Sequence, residues 1–225
     1  MSDPSAGPGL GVAPCAHGRP PATGAIRREP EDFVVDEILG FEPDAAGNHG
    51  LLVVEKRGAN TGWVAAQLAR HAGVAVRDVG FCGHKDRHAL TTQAYSLPLP
   101  ALFDVAQCLE WQGEGYTVRA AYRHSRKLRP GSHRANRFEV RIRGLRGDRG
   151  AIEASLAAIR KHGVPNYFGP QRFGRDGSNL RRALAWAGGA AGPRDRSQRS
   201  FTLSAARSHL FNAVLAARVT RGDWN

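Results

Sequence analysis

The sequence predicts an α+β fold. Strand-like segments follow one another from Ala25 to Ile142 with one helical stretch among them, while apolar residues recur at helical spacing after Ala151. No internal repeat and no apolar run of bilayer length breaks this pattern. A chain of 225 residues buries a good core and suggests two domains.

Residues 1–23 are full of Pro, Gly and Ala, lack the charged-then-apolar pattern of a signal peptide, and read as a disordered leader. Residues 25–28 and 33–38 are β-rich, separated by Glu29-Pro30-Glu31-Asp32, a turn because Pro30 has no N–H to give a sheet ladder. Residues 51–56 form another strand. Asn60, a capping-type residue, precedes Trp63, Val64, Leu68 and Ala72, so a helix runs to about His71 and Gly73 ends it. Short strands at 79–81 and 92–97 enter and leave a loop, and from Tyr116 the chain is strand-like again. There Phe138, Val140 and Ile142 alternate with Glu139, Arg141 and Arg143, predicting one face on a core and one charged. Residues 151–162 are a helix stopped by Gly163 in the αL conformation, with a domain boundary at that point. Helices follow at 179–187 and 205–219, the second with Leu210, Phe211, Val214 and Leu215 as a core stripe.

Lys and Arg total 32 against 20 Asp and Glu, a net charge of +12 that points to a polyanionic partner. The excess concentrates between Arg119 and Arg149, where the only acids are Glu139 and Asp148. With no spanning segment and no basic amphipathic helix with exposed aromatics, nucleic acid is preferred over membrane, and Arg126, Lys127 and Arg129 are candidate phosphate contacts. Cys15, Cys82 and Cys108 are odd in number and show no paired spacing, which fits a reducing, cytoplasmic compartment. Cys15-Ala16-His17 and Cys82-Gly83-His84 lack the wider pairing of a zinc site, so no metal is expected. Walker, dinucleotide-binding and nucleophile-elbow motifs are absent, leaving nucleotide hydrolysis, hydride transfer and serine hydrolase chemistry without support.

Within Gly80 to Gln93, Asp86 sits between Lys85 and Arg87 in a glycine-punctuated turn. Neighbouring cations favour the ionised carboxyl, which suits a nucleophile or base. A solvated charged turn is the plainer alternative. A hydrolase using Asp86 would want a second carboxylate, for which Glu31, Asp32 and Glu37 are available.

In order along the chain stand Pro30-Glu31-Asp32-Phe33-Val34-Val35 with Glu37, Lys56, Asn60-Thr61, and Gly83-His84-Lys85-Asp86-Arg87 with Thr91 and Gln93. Arg123-His124, Lys127-Leu128-Arg129, Asn136-Arg137-Phe138, residues 163–174, and Ser204 to Ser208 with Leu210-Phe211-Asn212 continue the series. These blocks, covering residues 23–219, resemble the TruD-type tRNA pseudouridine synthases. The resemblance implies a pseudouridine synthase catalytic fold, its sheet mixed and largely antiparallel with flanking helices, in residues 24–162. It also implies that residues 163–225 begin an inserted α/β TRUD domain. The implied activity is cofactor-free isomerisation of uridine to pseudouridine at position 13 of tRNA, with Asp86 as the essential aspartate. Phe33 and Asn136 would contact substrate, Phe138 would line the pocket, and Lys85 and Arg27 would also bind substrate, Arg27 standing where the family usually has lysine. A monomer is expected. Family members continue past the position of Asn225, so the chain reads as lacking a C-terminal part, and the alternative is an inactive RNA-binding fragment.

Overall fold

The computed structural model describes residues 13–225; most of the predicted leader, residues 1–12, lies outside them. The chain divides into one unit of Gly24–Leu145 and another in which residues 13–23 join Arg146–Asn225. The helix expected to close the first domain therefore groups with the C-terminal segments.

In chain order the first part comprises β1 (Ala22–Ala25), β2 (Phe33–Ile38), β3 (His49–Arg57), α1 (Thr61–Ala72), β4 (Gly80–Phe81), β5 (Leu90–Pro98), β6 (Gln112–Gly113), β7 (Tyr116–His124), β8 (Ala135–Val140) and β9 (Arg143–Gly147). β1 and β9 form a two-stranded ribbon. The main sheet runs β6-β7-β3-β5-β2-β8, with β4 added alongside β5. Only the β2–β5 pair is parallel among its pairings; the rest are antiparallel, as predicted.

Both faces of the central strand β3 are covered. Leu52 and Val54 meet Val64, Ala65 and Leu68 of α1 together with Tyr95, Leu97, Tyr116 and Val118, whereas Leu51 packs with Cys82, Ala94 and Leu128. The spacing of Val64 and Leu68 puts both on the inner stripe of α1. Gly73 ends that helix as predicted, and it does so in the αL conformation, at φ 66° and ψ 29°.

The strand at the sheet edge departs from expectation. The alternation predicts a core face for Phe138, Val140 and Ile142, yet their exposures are 59, 45 and 53%. They lie on or beside β8, which pairs only with β2 among the described residues, so no further strand shelters them.

The second unit holds α2 (Arg149–His162), α3 (Ser178–Ala187) and α4 (Arg196–Arg221). Asp148 caps α2 by accepting from the Ala151 N–H at 2.7 Å. Gly163 ends it at φ 74° but ψ −166°, not in the αL well. α4 begins well before residue 205 because Asp195 caps it, accepting from the Gln198 N–H at 2.7 Å. The expected core stripe of α4 is exposed at Leu210, Phe211 and Val214. Its smaller residues face inward instead, Ala205 packing with Phe173 and Leu180. Residues 13–21, predicted to be unstructured, lie by Ile159, Val164 and Tyr167, and the Tyr167 hydroxyl donates to the Pro14 carbonyl at 3.3 Å.

Leu68 is fully buried between α1 and the sheet. Leu68→Ala is expected to destabilise Gly24–Leu145 by roughly 2–5 kcal/mol, read as a lower urea midpoint with an unchanged slope.

Candidate active site

Asp86 lies on the loop between β4 and β5. Successive side chains on a loop diverge, and neither sequence neighbour meets its carboxylate. Lys85 turns inward to form a nearly fully buried ion pair with Glu37 of β2, while Arg87 Nε donates to the Gly58 carbonyl at 3.2 Å. The cation facing Asp86 is Arg27, with Nη2 3.4 Å from Oδ2. The sequence assignment of Lys85 and Arg87 as partners is thus corrected to Arg27.

The loop is anchored from beneath. Lys56 of β3 donates from Nζ to the carbonyls of Ala59 and Asp86, each at 2.9 Å. Thr61, the first residue of α1, accepts from the Lys85 N–H at 2.9 Å and donates to Gln93 Oε1 at 3.0 Å. Gln93 of β5 donates to the Gly83 carbonyl at 2.5 Å, and Tyr95 adds a hydroxyl bond to Gln93 Oε1 at 3.2 Å. Burial pushes the Lys56 ammonium down to about 8, against the pull of Asp86 and with the help of Lys85. Burial also raises the Tyr95 phenol far above its ordinary range, which keeps it a neutral donor.

One wall is aromatic. Strand alternation puts Phe33, Val35 and Glu37 on one face of β2, and the register sets Val140, Phe138 and Asn136 opposite them on β8. The rings of Phe33 and Phe138 stack with centroids 5.9 Å apart and planes 24° from parallel. Arg27 lies over the Phe33 ring at 4.0 Å from the centroid. Its backbone has φ 57°, a left-handed conformation that costs a non-glycine residue roughly 1–2 kcal/mol. Asp86, Arg27, Phe33 and Phe138 therefore form a continuous series. Asn136 continues the same face of β8, its Nδ2 3.1 Å from His133 Nε2.

The other acids are committed. Asp32 is fully buried and accepts from Arg143 Nε at 2.8 Å and from the N–H groups of Arg28 and Glu29. Burial raises its carboxyl, but Arg143 and those N–H groups outweigh this and hold it below the ordinary range. Glu31 pairs with Arg57 at 2.5 Å, and Glu37 with Lys85. A second free carboxylate for glycoside hydrolysis is thus missing from the three candidates. Ligand atoms of Glu37, Cys82 and His133 lie within 4.8 Å of one another. The Lys85 ammonium on that carboxylate opposes a metal ion there.

Arg126, Lys127 and Arg129 are brought together. They line a cavity of about 730 Å³ with Phe41, His124 and Ser132. Lys127 is partly spent, donating to the Arg77 carbonyl at 2.6 Å, whereas Arg126 and Arg129 have no side-chain partner among the described residues. Phe41 stacks on His124 at 5.4 Å, giving this basic hollow an aromatic side.

Lys56, Thr61 and His133 were not singled out as site residues from sequence. For Glu37 a signal existed: it continues the buried alternation of Phe33 and Val35, and an acid at such a position needs a cation.

Residues 10–182 match the family model described as TruD, tRNA pseudouridine synthase D. The chain is 50% identical over 221 residues to tRNA pseudouridine synthase D of Methylococcus capsulatus, covering 97% of this chain and 61% of that protein. It is 48% identical over 215 residues to the protein of the same name from Cellvibrio japonicus, covering 94% and 64% respectively. The chain thus spans somewhat less than two thirds of these relatives. A crystal structure described as TruD from Methanosarcina mazei superposes with a TM-score of 0.71 over 95% of this chain and 64% of that one, at 20% identity, a likeness of fold.

In the folded chain Lys56 loses its proton near 8, and in the unfolded chain near 10.4. Between these values the unfolded state holds more protons, so this group makes stability rise with pH. Urea midpoints measured from pH 7.5 to 9.5 are expected to show that upward contribution in the wild type relative to Lys56→Met. Parallel curves would contradict the burial assigned to Lys56.

Proposed function

The chain belongs to the TruD family of tRNA pseudouridine synthases, and from that membership we propose that it carries the catalytic aspartate of a uridine isomerase acting at position 13 of tRNA. The observation that carries this reading is the carboxylate of Asp86 beside a cation that lies on an aromatic ring.

In the isomerisation the bond from the ribose carbon to N1 of uracil breaks, the base turns, and C5 joins the same carbon. The proton on C5 is lost and N1 gains one, so the product has the composition of the substrate. Nothing is oxidised, and the reaction calls for no redox cofactor. Asp86 acts by attack on the sugar carbon or by removal of a sugar proton, and both need an ionised carboxylate. The anchoring by Lys56, Thr61 and Gln93 fixes the loop so that the carboxylate is presented and not buried.

A uridine within folded tRNA must leave its stack to be reached. The Phe33–Phe138 pair supports the base on an aromatic face, and Asn136 offers an amide to its edge. Arg27 covers the Phe33 ring, so an entering uracil competes with it for that surface. Arg126 and Arg129, with Lys127 beside them, fit backbone phosphates of the same tRNA. The enzyme is read as a cytoplasmic monomer. A second reading, RNA binding without turnover by these 225 residues alone, is favoured by the exposure of Phe138 and Val140 next to the site.

Pseudouridine-specific primer extension on tRNA tests both readings. The family-length protein is expected to form pseudouridine, with Asp86→Ala slower by at least ~100-fold. Pseudouridine formed at the wild-type rate by Asp86→Ala removes the catalytic assignment; the 225-residue chain, assayed alongside, separates turnover from binding alone. Replacing Arg126 and Arg129 by Ala is expected to weaken tRNA binding and to flatten the slope of log K against log salt by roughly 1–2. An unchanged slope would show that these arginines do not touch phosphate.

A further inference from the structure

We propose that His133 is a positioning residue that sets which amide atom Asn136 turns toward the base, and that the two together read the edge of uracil. This rests on the uridine isomerase reading. His133 precedes β8 in a turn held to neighbouring segments: the Gly131 N–H donates to the Cys82 carbonyl at 2.7 Å and the Arg134 N–H to the Ile38 carbonyl at 2.8 Å. Asn136 shares its strand face with Phe138, opposite Val35 and Glu37.

The 3.1 Å contact between Asn136 Nδ2 and His133 Nε2 has a single polarity. An amide nitrogen donates and does not accept, so Nε2 is the acceptor, the imidazole is neutral, and its proton sits on Nδ1. His133 Nδ1 and Asn136 Oδ1 are then left buried without partners among the described residues. Buried polar atoms without partners are uncommon. Here one is a donor and the other an acceptor. The edge of uracil is complementary, an N3–H donor flanked by carbonyl acceptors, whereas cytosine offers an acceptor at N3 and an amino donor. A buried pair of this kind discriminates strongly, since the wrong base leaves both atoms unpaired.

The ionisable groups facing His133 are Glu37 from β2 and Cys82 from the loop before Asp86, their ligand atoms within 4.8 Å of its own; Lys85 is paired with Glu37, and Arg134 follows on its own segment.

The test uses the family-length protein and initial rates of pseudouridine formation on tRNA at neutral pH. His133→Leu should lower kcat/KM by roughly tenfold, mainly through KM. His133→Gln, whose carbonyl accepts from Asn136, should recover part of that loss. Nitrogen NMR of labelled histidine should report the Nδ1–H tautomer for His133 and its loss in Asn136→Ala. A loss in His133→Gln as large as in His133→Leu, or an Nε2–H tautomer in the wild type, overturns the assignment. The tautomer is read without turnover, so an inactive protein with the Nδ1–H form would support the pairing and remove the isomerase reading instead.

Discussion

The buried pair between Glu37 and Lys85 is the constraint on which the site depends. Glu37 belongs to β2 and also accepts from the Ala94 N–H of β5 at 3.2 Å, while Lys85 immediately precedes Asp86. One carboxylate thus ties two strands to the Asp86 loop. Desolvating both charges cancels much of their attraction, so the pair adds little net stability, but leaving either alone would cost roughly 3–5 kcal/mol. That asymmetry holds the loop in one register against the sheet. Asp86 can then stand partly exposed, because the residue before it is fixed.

Much of this was legible in the sequence. β2 has the predicted limits, and Asp86 lies on a loop between strands because glycines and a charged triplet interrupt two apolar runs. Arg27, not Lys85 or Arg87, faces Asp86 for a simple reason. Adjacency along a loop says little about adjacency in space, and Arg27, some sixty residues earlier, arrives through the pairing of β2 with β5. The ends of α4 show the opposite limit: Asp195 is a good cap, but the polar run from Arg196 to Ser200 hides the helix that follows it. Period-two alternation assigned Phe138 and Val140 to one face, and it does place them there; alternation carries no information on whether anything covers that face.

Rigid and movable parts are separated within the site. Thr61, Gln93 and Tyr95 are buried and bonded to one another, and buried Lys56 holds the Asp86 carbonyl, the kind of support that keeps a loop within fractions of an ångström. Arg27 is exposed, strained at φ 57°, and held by one ion pair and one ring contact. Exposed ion pairs contribute ~1 kcal/mol or less, so releasing Arg27 is inexpensive compared with moving the loop. On the proposed reading, an entering base meets its least resistance there.

The arginine at position 27 has a geometric meaning in this chain. A guanidinium is planar: it lies flat on the Phe33 ring while its Nη2 reaches Asp86. An ammonium is a compact point charge without a stacking face, and it would satisfy the carboxylate while leaving the ring bare. The Phe33 ring is therefore covered by the same group that pairs with the Asp86 carboxylate. Opening the platform and freeing Asp86 become one movement, coupled through a single side chain.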